Sequence, residues 1–451
     1  MNLLTSDSKH FCRSVFTLVL PMALQNLINV AVTAADVIML GNVSQNVLSG
    51  ASLAGQIQYI MTLFFFGLTS GASVLTAQYW GKRDTQTVEK VLGIALKFSL
   101  SVAVIFTVTA GVFPTQCLTL FTDDPEVIRE GAQYLRILCM SFIFTSVTMI
   151  YLNTMRSIER VVISTFVYLI SLICNITLNS ILIFGAFGIS PMGIRGAAIG
   201  TCISRVLETT IVIIYSLGRN NPVHIRISYI LKNDSLLFRD FLKFSLPVVL
   251  NEFAWGAGCA TNSLILGHMG SSAVAANSVA QVTRQLSTVI AFGVANAAAI
   301  MIGKRIGSGD RQKAEEYGSR FVRLILITGA FAGALILCIN GLIIKSVNLE
   351  PLANDYLRKM LIVMSYFVFA QSYNTTMVVG IFRGGGDTLF GLIMDISTMW
   401  GGSILCGAIC AFVLELPVPV VYVVLMSDEL IKMPITTLRY RQRKWLKNVT
   451  R

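Results

Sequence analysis

Residues 11–41 read FCRSVFTLVLPMALQNLINVAVTAADVIMLG, and residues 237–267 read LFRDFLKFSLPVVLNEFAWGAGCATNSLILG. Each holds an apolar run of the length an α-helix needs to cross a hydrocarbon layer, about 20 residues. Laid one over the other, at a shift of 226 (21 to 247), they bring Pro21 onto Pro247 and Gly41 onto Gly267. The register then holds without a gap. Phe66-Gly67 falls on Phe292-Gly293, Gly81 on Gly307, Asp84 on Asp310 and Glu89 on Glu315. Apolar and glycine matches arise by chance in any membrane sequence, but two acidic matches in equivalent loops do not. The shift is half of the 451-residue length, so the chain reads as a duplicated unit.

The rest of the sequence has the same character. Hydrophobic residues make up 54% and charged residues 13%, against about 25% charged in an ordinary soluble protein. Twelve spans are predicted, starting near residues 12, 51, 91, 130, 161, 194, 238, 277, 320, 355, 388 and 416. With both termini inside, 26 of the 35 Lys and Arg fall in inward loops and tails. Six fall outside, namely Arg129, Arg136, Arg195, Lys345, Arg358 and Lys359, and three, Lys97, Arg205 and Arg284, fall within spans. That asymmetry is the positive-inside rule. It accounts for the net charge of +12 without a nucleic-acid partner, and makes the basic tail Arg439 to Lys447 a stop-and-orient signal. The run Phe11 to Leu40 is too long for a signal-peptide core and is read as the first span. The nine cysteines are scattered. Cys406 and Cys410 share a helix face without a nearby His, which suits packing better than metal binding.

The expected fold is therefore all-α and integral to the membrane: twelve transmembrane helices in two pseudo-symmetric six-helix bundles. Residues 1–218 form the first bundle, 219–240 a polar cytoplasmic linker, and 241–451 the second bundle with its basic tail. Six is even, so both copies run the same way through the bilayer. Such parallel repeats are related by an axis along the membrane normal, with substrate sites at the repeat interface.

Polar groups inside the hydrocarbon are costly and mark function or close packing. Asp36 lies deep in the first span, Glu252 in the seventh, and Asp395 in the eleventh or at its inward end. The repeat pairs Asp36 with Asn262 and Glu252 with Asn26, so each half keeps one carboxylate and one amide in swapped places. Asn175 and Asn179, four apart, share a face of the fifth span, and Thr201 begins the sixth. If that face turns to Asp36, the oxygens suit a hard cation such as sodium. The alternative is that the amides hold helices together by hydrogen bonds. Asn277, Gln281 and Gln285, with Arg284 and Thr288 beside them, form a polar stripe on the eighth span. It faces either a water-filled substrate cavity or another helix.

No Gly-x-x-x-x-Gly-Lys-Ser/Thr loop is present, so nucleotide hydrolysis by that route is not expected. The run Gly384-Gly385-Gly386-Asp387 lacks the strand a phosphate loop needs and reads as a tight turn. Three histidines without a nucleophile partner give no sign of an enzyme, and no cofactor is expected.

Taken together, several segments resemble the multidrug and toxic compound extrusion (MATE) family over nearly the whole chain. They are Pro21 with Asp36-Val-Ile-Met-Leu-Gly41, Gln78-Tyr-Trp-Gly-Lys-Arg-Asp84, Gly193-Ile-Arg-Gly-Ala-Ala-Ile-Gly-Thr201, Pro247 with Glu252, and Arg383-Gly-Gly-Gly-Asp387. The resemblance implies cation-coupled antiport, by proton or sodium, of amphipathic, often cationic, small molecules through a cleft between the halves. Carried over, Asp36, Asn175 and Thr201 match the family's amino-terminal cation site. Asn179 stands where many relatives have Asp, one negative charge fewer. Glu252 resembles the coupling acid of the second half, and Asp395 an acid of many bacterial members. The implied setting is the plasma membrane, as a multi-pass protein of the bacterial inner membrane, working as a monomer with lipid and a small organic substrate. Two other functions compete: a lipid-linked sugar flippase, which would want a basic lumen such as Arg205 and Arg284 could offer, and a channel or receptor.

Overall fold

A computed structural model describes residues 6–185, 188, 190–232, 234–347 and 349–451. Among them there are helices and no strands, as expected of a chain whose backbone must satisfy its own hydrogen bonds in lipid. The first half contains α1 (Ser6–Gly41), α2 (Gln45–Gly81), α3 (Thr85–Val112), the short α4 (Pro114–Thr119), α5 (Pro125–Leu138), α6 (Ser141–Ser157), α7 (Val162–Phe184) and α8 (Gly193–Leu217). The short α9 (Ile227–Leu231) lies in the linker. The second half contains α10 (Ser235–His268), α11 (Ser271–Gly307), α12 (Arg311–Ser346), α13 (Pro351–Thr375), α14 (Thr388–Asp395), α15 (Leu405–Phe412), α16 (Val418–Leu425) and α17 (Asp428–Arg441). A π-helical stretch, Thr376–Phe382, extends α13, and another, Ile396–Ile404, joins α14 to α15.

Among the described residues, seven of these helices and the continuous run Thr388–Phe412, which α14, the π-helical stretch and α15 form together, pass by length and composition as membrane spans, and α5 with α6, bent by 55° at their junction, makes a ninth. Several begin a few residues before the apolar run does. The reason is local: Asp84, Asp124 and Asp310 each cap a helix, accepting from the backbone N–H of Thr87, Glu126 and Lys313 at 3.0, 2.9 and 3.1 Å. A cap satisfies amides that the helix cannot. The twelfth predicted span is broken into α16 and α17.

The acidic matches of the repeat now have structural roles. Asp84 and Asp310 cap equivalent helices, α3 and α12. Glu89 on α3 takes Arg226 at 2.7 Å, and Glu315 on α12 takes Arg443 at 2.8 Å. In each half, the segment after the last helix folds back onto the third long helix. Gly81 and Gly307 are reciprocal too. A Cβ on Gly81 would overlap the carbonyl of Lys304, and one on Gly307 would overlap that of Gln78. Lys304 and Gln78 are themselves 226 apart, so contact i-to-j is matched by j-to-i, as a two-fold relation requires.

By packing, the chain divides into two compact units. The amino-terminal unit comprises Leu24–Thr76 and Asp84–Lys243; the carboxy-terminal unit comprises the segment ending at Ala23, Ala77–Arg83 and Phe244–Arg451. The first has a core of Met61, Phe65, Leu135, Phe142 and Ala198, all inaccessible or nearly so. The second is centred on Leu357, Met360, Met364, Val421 and Leu425. Large apolar side chains such as Ile38, Val162, Ile214 and Phe331 are left exposed on the helix surfaces, the pattern of lipid-facing residues.

In the carboxy-terminal unit the basic tail docks. Trp445 is 1% exposed and stacks on Tyr440. Gln78 donates to the carbonyls of Gly384 and Lys447 and accepts from the Val449 amide at 2.8 Å. Gly384-Gly385-Gly386 makes the expected turn, with Gly386 at φ +83°. Asp387 behind it is 3% exposed and pairs with Arg439 at 2.8 Å and Lys447 at 2.6 Å. The tail's charges thus have a structural use.

Candidate functional site

In the amino-terminal unit the swapped-polar pattern resolves into a chain of contacts. The Asp36 carboxylate, on α1, accepts from Nδ2 of Asn179 at 2.7 Å. The same Nδ2 lies 3.2 Å from Oδ1 of Asn175, whose own Nδ2 reaches Oγ1 of Thr201 at 3.4 Å. The four-residue spacing on α7 puts both amides on one face, and α8 supplies Thr201. Gly200 is what lets the helices meet here, since a Cβ would strike Oδ1 of Asn179. Asn175, Asn179 and Thr201 are 2%, 0% and 7% exposed. Oδ1 of Asn179 is buried with no hydrogen-bond partner among the described residues. Which end of an amide is nitrogen is assigned from its hydrogen bonds; with Nδ2 toward Asp36, the amide stands where a cation could. Tyr134 on α5 is buried close by. Arg205 is near enough to act on Asp36 but is itself neutralised by Glu208 at 2.6 Å. Tyr134 and Glu208 were not legible as site residues, because their distance from Asp36 in sequence carries no spacing signal.

The carboxy-terminal unit holds more charge than expected. Glu252 on α10 is bound by Arg383 at 2.9 Å, the two side chains being 12% and 5% exposed. Asp395 ends α14 just before the π-helical stretch and meets Lys432 of α17 at 2.9 Å. Lys432, 2% exposed, also takes Asp428 at 3.0 Å and Glu429 at 3.3 Å. Glu429 accepts from Asn374 at 2.8 Å, and Asn374 from Thr436 at 3.1 Å. Three carboxylates share one ammonium, so the fully ionised cluster carries a surplus of negative charge. Buried ionic groups are tolerated only when paired, and the surplus calls for protons or a cation. Asn374 and Asp395 each stand next to a π-helical stretch, a feature that often marks functional positions in helices. Sequence reasoning did not single out Asp428, Glu429 and Lys432, although their spacing of three and four places them on one helix face.

On α11, Asn277 is buried with Oδ1 unpartnered among the described residues, Gln281 and Arg284 are partly buried, and Gln285 is exposed. The Arg284 guanidinium carbon sits 5.7 Å from the centre of the Trp255 ring. Asn262, the repeat counterpart of Asp36, is buried with its Oδ1 also unpartnered.

Against this geometry the known proteins can be set. The MatE family model matches residues 21–181 and 247–418, two segments whose starts are separated by the repeat's own shift. The probable multidrug resistance protein YoeA of Bacillus subtilis is 23% identical over 392 residues, covering 86% of this chain and 84% of that one. The probable multidrug resistance protein NorM of Thermotoga maritima is 21% identical over 436 residues, covering 96% and 93%. Among solved structures, a MOP superfamily transporter from Pyrococcus furiosus superposes with a TM-score of 0.85 at 18% identity over 95% of each chain. The eukaryotic MATE transporter AtDTX14 gives 0.83 at 16% identity, over 98% of this chain and 97% of its own. These structures share the twelve-helix fold. The family match takes in well over half of the sequence, and the chain belongs to the MatE family of multi-pass membrane transporters.

Proposed function

We propose that this transporter is a cation-coupled antiporter, driven by sodium or protons, that exports amphipathic small molecules, often cationic, by alternating access of its two lobes. The observation that carries the coupling is the set around Asp36. A carboxylate in a membrane span is answered there by an amide and not by a base, and the amide oxygen of Asn179 is left buried without a partner. Turned about, Asn179 would add Oδ1 to the oxygens of Asp36, Asn175 and Thr201, a donor set that suits sodium. A proton on Asp36 would serve the same end, because either ligand removes the charge that holds the amide in place. Two arrangements of one element, biased by a ligand, are what alternating access needs.

The multidrug-resistance names of the relatives support drug-like substrates. The distribution of Lys and Arg supports inward termini, and the bacterial relatives support a bacterial cell membrane as the setting. Glu252, with Arg383 and the Lys432 cluster beyond it, is a second coupling point in this scheme.

The test is efflux of a cationic dye from proteoliposomes under a sodium gradient or a pH gradient, each imposed alone. Asp36→Asn keeps shape and hydrogen bonding and removes the titrating charge. It is expected to insert normally and to lose efflux under whichever gradient drives the wild type, with Glu252→Gln as a parallel arm. If Asp36→Asn transports like the wild type under both gradients, the coupling role of this site is wrong.

A further inference from the structure

Cations deep in the carboxy-terminal unit come with counter-ions. Arg383 is held by Glu252, and Lys432 by three carboxylates. Arg284, near the middle of α11, has no carboxylate within ion-pair distance among the described residues. A positive side chain at mid-span is kept where it faces a partner or a substrate path. The surroundings of Arg284 contain the makings of such a place. Its guanidinium lies over Trp255, and its Nε is buried without a partner. Tyr422 is 0% exposed and belongs to the buried cluster against which Trp255 packs, and its hydroxyl is also buried with no partner among the described residues. Two side chains from different helices therefore hold unused hydrogen-bonding capacity beside an unneutralised positive charge and an indole face.

A guanidinium braced from one side by an aromatic ring keeps its edge N–H donors for an oxyanion. We propose that this is a subsite for the acidic group of an amphipathic substrate. A carboxylate or phosphate would be held by Arg284 and the Tyr422 hydroxyl, and the apolar body would lie against Trp255. The proposal rests on the export reading above and narrows its substrate class to molecules that carry an acid, whether or not they also carry a cation. It also explains why the arginine is tolerated in an otherwise apolar helix: its counter-ion arrives with the substrate.

The experiment is equilibrium binding to the purified full-length protein in detergent, with no gradient. The probes are 1-pyrenebutyrate and its methyl ester, at matched micelle concentration. Energy transfer from tryptophan reports binding, and Trp255→Phe, among the four tryptophans, shows how much of the signal comes from this site. The acid is expected to bind about tenfold more tightly than the ester, the scale of one charge-assisted hydrogen bond. Arg284→Gln should bring the ratio near one, Arg284→Lys should keep most of it, and Tyr422→Phe should lower it about threefold. A wild-type ratio near one overturns the proposal by itself, whether or not the arginine variants fold. So does an unchanged ratio in Arg284→Gln with wild-type helical content. Gradient-driven efflux of Asp36→Asn reads the coupling separately: its failure to change would remove the coupling reading and leave an acid preference standing.

Discussion

Replacing Lys432 by methionine keeps the length of the side chain and removes its charge. The ammonium it removes is 2% exposed and lies 2.9, 3.0 and 3.3 Å from the carboxylates of Asp395, Asp428 and Glu429. Taking one partner from a buried ion pair costs about 3–5 kcal/mol, because the other charge stays buried and unpaired. Here three carboxylates lose the same counter-ion, so the upper part of that range applies. At about 2–4 °C per kcal/mol, the scale for 150–250 residues, the apparent melting temperature in detergent should fall by about 10–15 °C. Adding Glu429→Gln to Lys432→Met removes one of the stranded charges while keeping an oxygen for Asn374 to donate to, so part of the loss should return. Adding Asp395→Asn as well should return more, since a neutral replacement of a buried ionic cluster can be close to isoenergetic. Tryptophan fluorescence and size-exclusion profiles during a thermal ramp read all four proteins. A single variant that melts within about 2 °C of the wild type, on the same scale, or a double variant less stable than the single, would show that the cluster is not held by charge.

Two further outcomes follow from close packing and from the tail. Gly307→Ala puts a methyl group into the Gln78 carbonyl, and Gly81→Ala does the same at Lys304; each should cost about 1–3 kcal/mol by overpacking, measured as a lower melting temperature. Gly55→Ala, with open space around its Cβ position, should be neutral or raise stability by up to about 1 kcal/mol, and equal losses at all three sites would remove the packing explanation. Asp387→Asn leaves Arg439 and Lys447 without their shared carboxylate. Because both cations are partly exposed, the expected loss is about 1–3 kcal/mol, and trypsin should cut faster after Arg443, Lys444 and Lys447. Cleavage at the wild-type rate would mean that Trp445 and Gln78 anchor the tail unaided.

Much of the protein is legible in the order of its residues, because the bilayer leaves a chain few choices. A segment with no charge over about 20 residues must become a helix there, so the helices, the family and the duplication are all present in one dimension. Asp84 and Asp310 were recognisable as equivalent before their shared role as helix caps was seen. Asp36, Asn175, Asn179 and Thr201 were suspected because polar groups in apolar runs stand out and because four-residue spacing defines a helix face. What each polar group touches was not legible, since that depends on how helices far apart in sequence pack. Glu252 and Arg383 are 131 residues apart, and nothing in their neighbourhoods announces the pair. Asp428, Glu429 and Lys432 carry no sequence signal that ties them to Asp395 and Asn374, which they meet only through the packing of α17. Arg284 stood out in sequence as an expensive residue, but only the tertiary structure could say that it lacks a counter-ion among the described residues, because the absence of a partner is a property of the space around a side chain and not of the chain that carries it.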